Sequence, residues 1–393
     1  MKKWGLLLIL LLSLLPRTAF AAETADAICI EGETEGLDTD AVDAAAEEMD
    51  AAVSFSDLLA EILSGEFDFT FANIREKASE LMFGELRMQG RLLAQLVLIV
   101  ILSAILKQCS DSFQGKNVGE MGFYVCYMVL IVAILTSFYS ISQSVVERMR
   151  GLCGVFGAMV PIFLVLSASS GNLAQGALMG PTLMGGATAL SVGISYVLIP
   201  AIQLSIALEM ADHISEKPIL GKFAELLRQC ISWGMKGAAM LFMLLLSLQK
   251  IGGGALNGLA AKTAKIAVGA VPVVGGVMGG AVETAAAMAG TLKSGTLVAA
   301  VVLLLLLCLP LLIKLLVILL VFRLTAAAAE FICEERLVEC IAAAGEYIGL
   351  LLGIVFLGEG MFFFSALLLL EVGGPSGLRG RQLTRPTPWV TER

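Results

Sequence analysis

The chain has 393 residues, of which 58% are hydrophobic and only 15% charged, and its mean hydropathy is +0.89, whereas a soluble globular chain carries about 25% charged residues. These values exclude an ordinary soluble enzyme and predict an all-α, polytopic helical membrane protein in contact with membrane lipid. The net charge of -8, with no basic patch, excludes nucleic acid as a partner.

In chain order, Lys2 and Lys3 precede an apolar run from Leu6 to Leu15, and Ala19-Phe20-Ala21 supplies small residues for cleavage. Residues 1–21 therefore read as a signal peptide, with the mature N-terminus outside the cytoplasm. An uncleaved anchor is the alternative, although the run falls short of the ~20 apolar residues a span needs. Residues 22–54 form an acidic leader: Glu23 to Asp50 holds eleven Asp/Glu and no Lys/Arg, so this segment is expected to be disordered or loosely helical. From Ala51 onward 23 acidic residues balance 23 basic ones.

Residues 55–90 carry helical periodicity through Leu58, Leu59 and Ile62, with Ser54 or Ser56 as N-cap and a break at Gly65. Two amphipathic extracytoplasmic helices are expected, lying on the membrane or a partner, or packed as a small subdomain.

Residues 91–370 read as a multi-span domain of about seven helices: Leu92–Leu106, Met121–Ile141, Leu152–Ser167 with Pro161 inside, Leu183–Leu208, Ile231–Leu248, Leu297–Phe322 and Tyr347–Leu370. Pro200 predicts a kink in the fourth, whose lost hydrogen bond must be repaired locally. With the N-terminus outside, the cytoplasmic loops and the tail hold ten Lys/Arg and the outer loops seven, a weak agreement with the positive-inside rule.

The segment from Ile251 to Gly295 is too rich in glycine, and too interrupted by Lys262, Lys265, Pro272 and Glu283, for a lipid-facing span. Its first half is amphipathic. After a break at residues 271–276, Gly275/Gly279 and Gly276/Gly280 form overlapping small-xxx-small pairs that permit close helix packing. Two readings stand: a re-entrant segment lining an assembly surface or aqueous path, and a cytoplasmic linker.

No nucleotide-binding, zinc-protease or nucleophile-elbow motif occurs, so neither a cofactor nor a catalytic site is expected. The one histidine, His213, reads as a solvated loop residue beside Asp212 and Glu216. The eight cysteines are scattered and expected to be free thiols. Lys314 and Glu359 are the deepest membrane charges; either they pair or serve a transport path, or Lys314 snorkels and Glu359 faces a neighbouring helix.

Several stretches resemble the stage III sporulation protein AE family of endospore-forming Firmicutes: GFYVCYMVLIVAILTSFYS at 122–140, MVPIFLVLSASSGN at 159–172 and AAKTAKIAVGAVPVVGGVMGGAVETA at 260–285. The resemblance runs from about Phe55 to Leu370 and departs in the tail (371–393), which is polar and arginine-rich where an apolar ending is expected. It implies a non-enzymatic component of the channel joining mother cell and forespore, in the mother-cell-derived membrane. The implied partners are an AA-type ATPase, the ring-forming AG and AH proteins and, indirectly, the forespore stage II protein Q. A secondary transporter for a small solute is the competing class.

Overall fold

The computed structural model describes residues 39–51, 53–64, 71–112, 116–169, 173–214, 220–269 and 277–373. The predicted signal peptide, the leader up to residue 38 and nearly all of the tail lie outside the described residues. Every regular element among the described residues is helical, as composition requires. Among the described residues, five helices are long and apolar enough to cross a membrane: Leu81–Ile105, Tyr124–Phe163, Met184–His213, Val298–Ala329 and Glu335–Ala366.

The end of the acidic leader is folded. Helix α1, Asp40–Glu47, buries Val42 and Ala46 on one stripe that Met49 continues. Composition hides this, because three apolar side chains at helical spacing suffice when a partner helix receives them. The chain then reverses in a Schellman turn, with Ala51 N–H donating to Ala46 O, Asp50 N–H to Glu47 O, and Asp50 at a φ of 55°.

Helix α2, Phe55–Ser64, starts at Ser54, the first of the two predicted caps. The Asp57 N–H donates to Ser54 Oγ at 3.2 Å, and the Asp43 carboxylate of α1 accepts from the Phe55 and Ser56 N–H groups. Phe55, Leu58 and Leu59 are buried. The second amphipathic piece and the first span are one helix, α3, Phe71–Ser112.

The second and third predicted spans are likewise one helix, α4, Lys116–Ser169. At 1.5 Å per residue its 54 residues reach about 80 Å. The expected outer loop around Arg148 and Arg150 is absent from the described residues, because nothing between Ile141 and Gly151 breaks a helix. Ile141, Val145, Met149, Leu152 and Phe156 instead continue a single buried stripe.

Helix α5, Leu173–Gly193, passes through a π-helical turn, Ile194–Leu198, into α6, Ile199–Ile214. The turn sits immediately before Pro200. Pro200 has no N–H for the Tyr196 carbonyl and its ring crowds that oxygen, so the ladder widens, with Ile199 N–H donating to Ile194 O. This is the local repair that the predicted kink demanded.

The remaining elements are α7, Gly221–Gly269, which contains the predicted span Ile231–Leu248; α8, Val277–Ala329; and α9, Glu335–Gly373. Helices α8 and α9 form an antiparallel hairpin, and α4 packs along both. Edge-to-face ring pairs, Phe156–Phe362 at 5.7 Å and Phe138–Tyr347 at 6.5 Å, tie α4 to α9.

These contacts sort the helix ends into two groups. At one end Met49 of α1 sits over Gly151 of α4, Leu63 of α2 over Gly295 of α8, and Met184 of α5 over Gly157 of α4. At the other, Cys333 after α8 donates to the Val100 carbonyl of α3, and α6, α7 and α9 meet. With two predicted spans merged into α4, the part of α8 around Gly295 stands at the end that carries α1 and α2. The seven-span count had placed the start of the sixth span on the side opposite them.

Candidate functional site

Two polar sites lie within the helix assembly. The first joins α6, α7 and α9 through Arg228. Its Nη2 donates to Glu209 Oε2 at 2.7 Å and Oε1 at 3.0 Å, and its Nη1 to Glu346 Oε2 at 2.7 Å. The guanidinium also stacks on the Tyr347 ring, 4.8 Å from its centroid. Tyr347 is fully buried and its hydroxyl donates to Glu209 Oε2 at 2.5 Å. Ser205 Oγ lies 2.8 Å from that hydroxyl and 3.0 Å from the Ala224 carbonyl.

Burial works against the Arg228 charge, but the Tyr347 hydroxyl and the Glu209 carboxylate outweigh it and hold its pKa above the ordinary arginine value. Two carboxylates, one aromatic face and a fixed fork-shaped cation make a three-helix clamp rather than a reaction centre. Arg228 precedes the predicted span Ile231–Leu248 and so counts among the outer-loop charges, and no motif marks Glu209 or Tyr347 as its partner. The available signal was Ser205 and Glu209, four residues apart on one face of α6.

The second site is Glu359 of α9. It is 3% exposed, and neither carboxylate oxygen has a hydrogen-bond partner among the described residues. Close packing surrounds it: a Cβ on neighbouring Gly358 would stand 2.9 Å from both Met149 Sδ of α4 and Ile194 Cδ1 of the π turn. Its electrostatic neighbours are Arg148 of α4 and Cys308 of α8.

The predicted partner, Lys314, is half-buried and does not pair with it. Hairpin register explains this. Cys308 is an α8 residue that interacts with Glu359, and Lys314 lies six residues further along, about 9 Å down the axis.

His213 is placed differently from expectation. It occupies the last turn of α6, half-buried, with Nδ1 2.7 Å from the Glu209 carbonyl. Asp212 accepts from the Leu220 N–H at 2.7 Å, and Glu216 lies outside the described residues. Among the described residues no group of three His, Cys, Asp or Glu side chains is placed to hold a metal. Among the described side chains, Cys126, Cys153, Cys230, Cys308, Cys333 and Cys340 form no disulfide.

Of the proposed packing glycines, Gly275 and Gly276 lie outside the described residues. Gly279 and Gly280 stand in the first turn of α8.

The family model described as stage III sporulation protein AE matches residues 53–373. Stage III sporulation protein AE of Bacillus subtilis (strain 168) is 25% identical over 319 residues, which cover 80% of this chain and 79% of that protein. No solved structure matches.

Proposed function

Since the chain belongs to the stage III sporulation protein AE family, we propose that it is a non-enzymatic membrane component of the channel joining mother cell and forespore, working as a secretion-like export platform. A role in sporulation follows from the family. The observation that carries the finer reading is the family match over 53–373 on a chain whose helices are long and apolar enough to cross a membrane. The described polar sites add to it. Arg228 ties helices together instead of presenting a nucleophile or base to a substrate.

In this reading the protein sits in the mother-cell-derived membrane around the forespore. The end bearing α1 and α2 faces the space between the two membranes, following the signal peptide read from residues 1–21. There it meets the ring-forming AG and AH proteins and, through them, stage II protein Q. The opposite end, with the Arg228 clamp and the turn at 330–334, faces the mother-cell cytoplasm and the AA-type ATPase.

The test is deletion of the gene combined with affinity purification from sporulating cells. Arrest after engulfment, and co-purification of the ATPase and ring proteins, are expected. Normal spores from the deletion strain overturn the reading.

A further inference from the structure

We propose that Glu359 is a proton-exchange site buried between α4, α8 and α9, and that Arg148 couples its protonation to the docking of α1. The proposal is independent of the channel role and rests on three placements.

Glu359 is buried with both oxygens unpartnered among the described residues. A neutral carboxylic acid tolerates such a site, whereas a carboxylate needs a cation there. The nearest supply is set by packing: Met149 touches the Gly358 position, and one residue along each helix stand Arg148 and Glu359. Among the described residues, Arg148 is a charged neighbour that favours the Glu359 carboxylate.

Arg148 is already engaged by the leader helix. Its Nη1 donates to the Met49 carbonyl at 2.8 Å. Gly151, one turn on, leaves room for the Met49 side chain, whose Cγ lies 2.7 Å from where a Cβ would stand. One guanidinium thus serves two acceptors in turn. With Glu359 protonated, Arg148 holds Met49 and α1 stays docked. When the carboxylic acid gives its proton to a solvent base, the carboxylate draws Arg148 away and α1 loses that anchor.

Other ionisable groups are few around Glu359. Helix α8 contributes Cys308, and α5 carries no ionisable residue. The π turn contributes buried Ser195 and exposed Tyr196. On α4, Glu147 and Arg150 are exposed. Glu209 of α6 and Arg228 of α7 meet Tyr347, twelve residues or about 18 Å along α9 from Glu359, and Asp212 and His213 lie beyond Glu209.

The test uses the full chain in lipid nanodiscs. Amide exchange across residues 40–47, corrected for its intrinsic pH dependence, is compared at acidic and alkaline pH. Wild type should exchange about tenfold faster on the alkaline side, the worth of one charge-assisted hydrogen bond. Glu359→Gln should keep the protected, acid-like rate at both. The α1 carboxylates Asp40, Asp43, Glu47 and Glu48 are the same in both proteins, so their contribution cancels in the comparison.

A second measurement needs no variant. Dicyclohexylcarbodiimide adds across its C=N bond to a protonated acid, so the peptide holding Glu359 should gain one carbodiimide at acidic pH and lose this labelling as pH rises. Wild-type exchange that ignores pH, a Gln variant that follows wild type, or labelling that is absent or constant with pH overturns the proposal.

Discussion

Leu63 of α2 rests directly on Gly295 of α8: a Cβ at that glycine would stand 2.7 Å from Leu63 Cδ2. The contact fastens α2 to α8 just ahead of the apolar stretch Val298–Ala329. Because the crowded atom is the tip of a flexible side chain, Gly295→Ala should cost under about 1 kcal/mol. Gly295→Leu should cost about 1–3 kcal/mol as overpacking. Limited proteolysis between residues 65 and 70 should accelerate in the Leu variant only, and equal rates in all three proteins would count against this docking.

The Arg228 clamp predicts a coupled pair. Tyr347→Phe removes the hydroxyl shared by Glu209 and Ser205 but keeps the ring under the guanidinium, so it should cost about 1 kcal/mol. Arg228→Ala leaves Glu209, only 20% exposed on its side chain, without its cation, and should cost about 3 kcal/mol. Thermal unfolding in detergent of both single variants and the double variant reads the coupling. Strict additivity would mean that the two side chains do not act as one unit.

Much of this arrangement was legible in the residues, and the exceptions have physical reasons. Leu58, Leu59 and the Ser54 cap follow from local periodicity and capping chemistry. The continuity of α4 did not, because Glu147, Arg148 and Arg150 resemble a loop in composition while their helical spacing leaves the buried stripe intact. Arg148 is a charge used inside the fold, on a backbone carbonyl 99 residues away in sequence. Pro200 announced a break but not that a π turn would absorb it. The failure of Lys314 to meet Glu359 depends on hairpin register, which the turn at 330–334 sets and composition does not record.

The sorting of helix ends gives a labelling experiment. In a chain whose native cysteines have been replaced, Glu48→Cys and Lys222→Cys place single thiols at exposed positions of opposite ends. A membrane-impermeant maleimide should label residue 48 in intact protoplasts and residue 222 only after permeabilisation. Labelling of both before permeabilisation would contradict the proposal that α1 and the start of α7 face opposite sides of the membrane.

Gly279 and Gly280 stand at the start of α8, and their small-xxx-small spacing proposes them as a packing surface for partners. Gly280→Leu should leave the monomer's thermal stability within about 0.5 kcal/mol while reducing co-purification of ring proteins at least several-fold. Gly276→Leu should act in the same way through the same small-xxx-small pair. Undiminished complex in both variants would favour a plain linker.

The π turn at Ile194–Leu198 allows a sharper test, because a π turn holds one residue more than the α-helical turn it replaces. Removing that residue should let the segment close as α-helix without changing the phase of α6. Deleting Val197, which is exposed, together with Pro200→Ala should therefore preserve the Glu209–Arg228 pair and much of the thermal stability. Deleting Leu204, also exposed but beyond the turn, should rotate everything after it by about 100°. Ser205 and Glu209 would then swing off Tyr347, and the clamp would be lost. A stability loss at least as large for the Val197 deletion as for the Leu204 deletion would show that the turn is required in its own right, for instance to seat Ile194 against Gly358, and is more than the geometric consequence of Pro200.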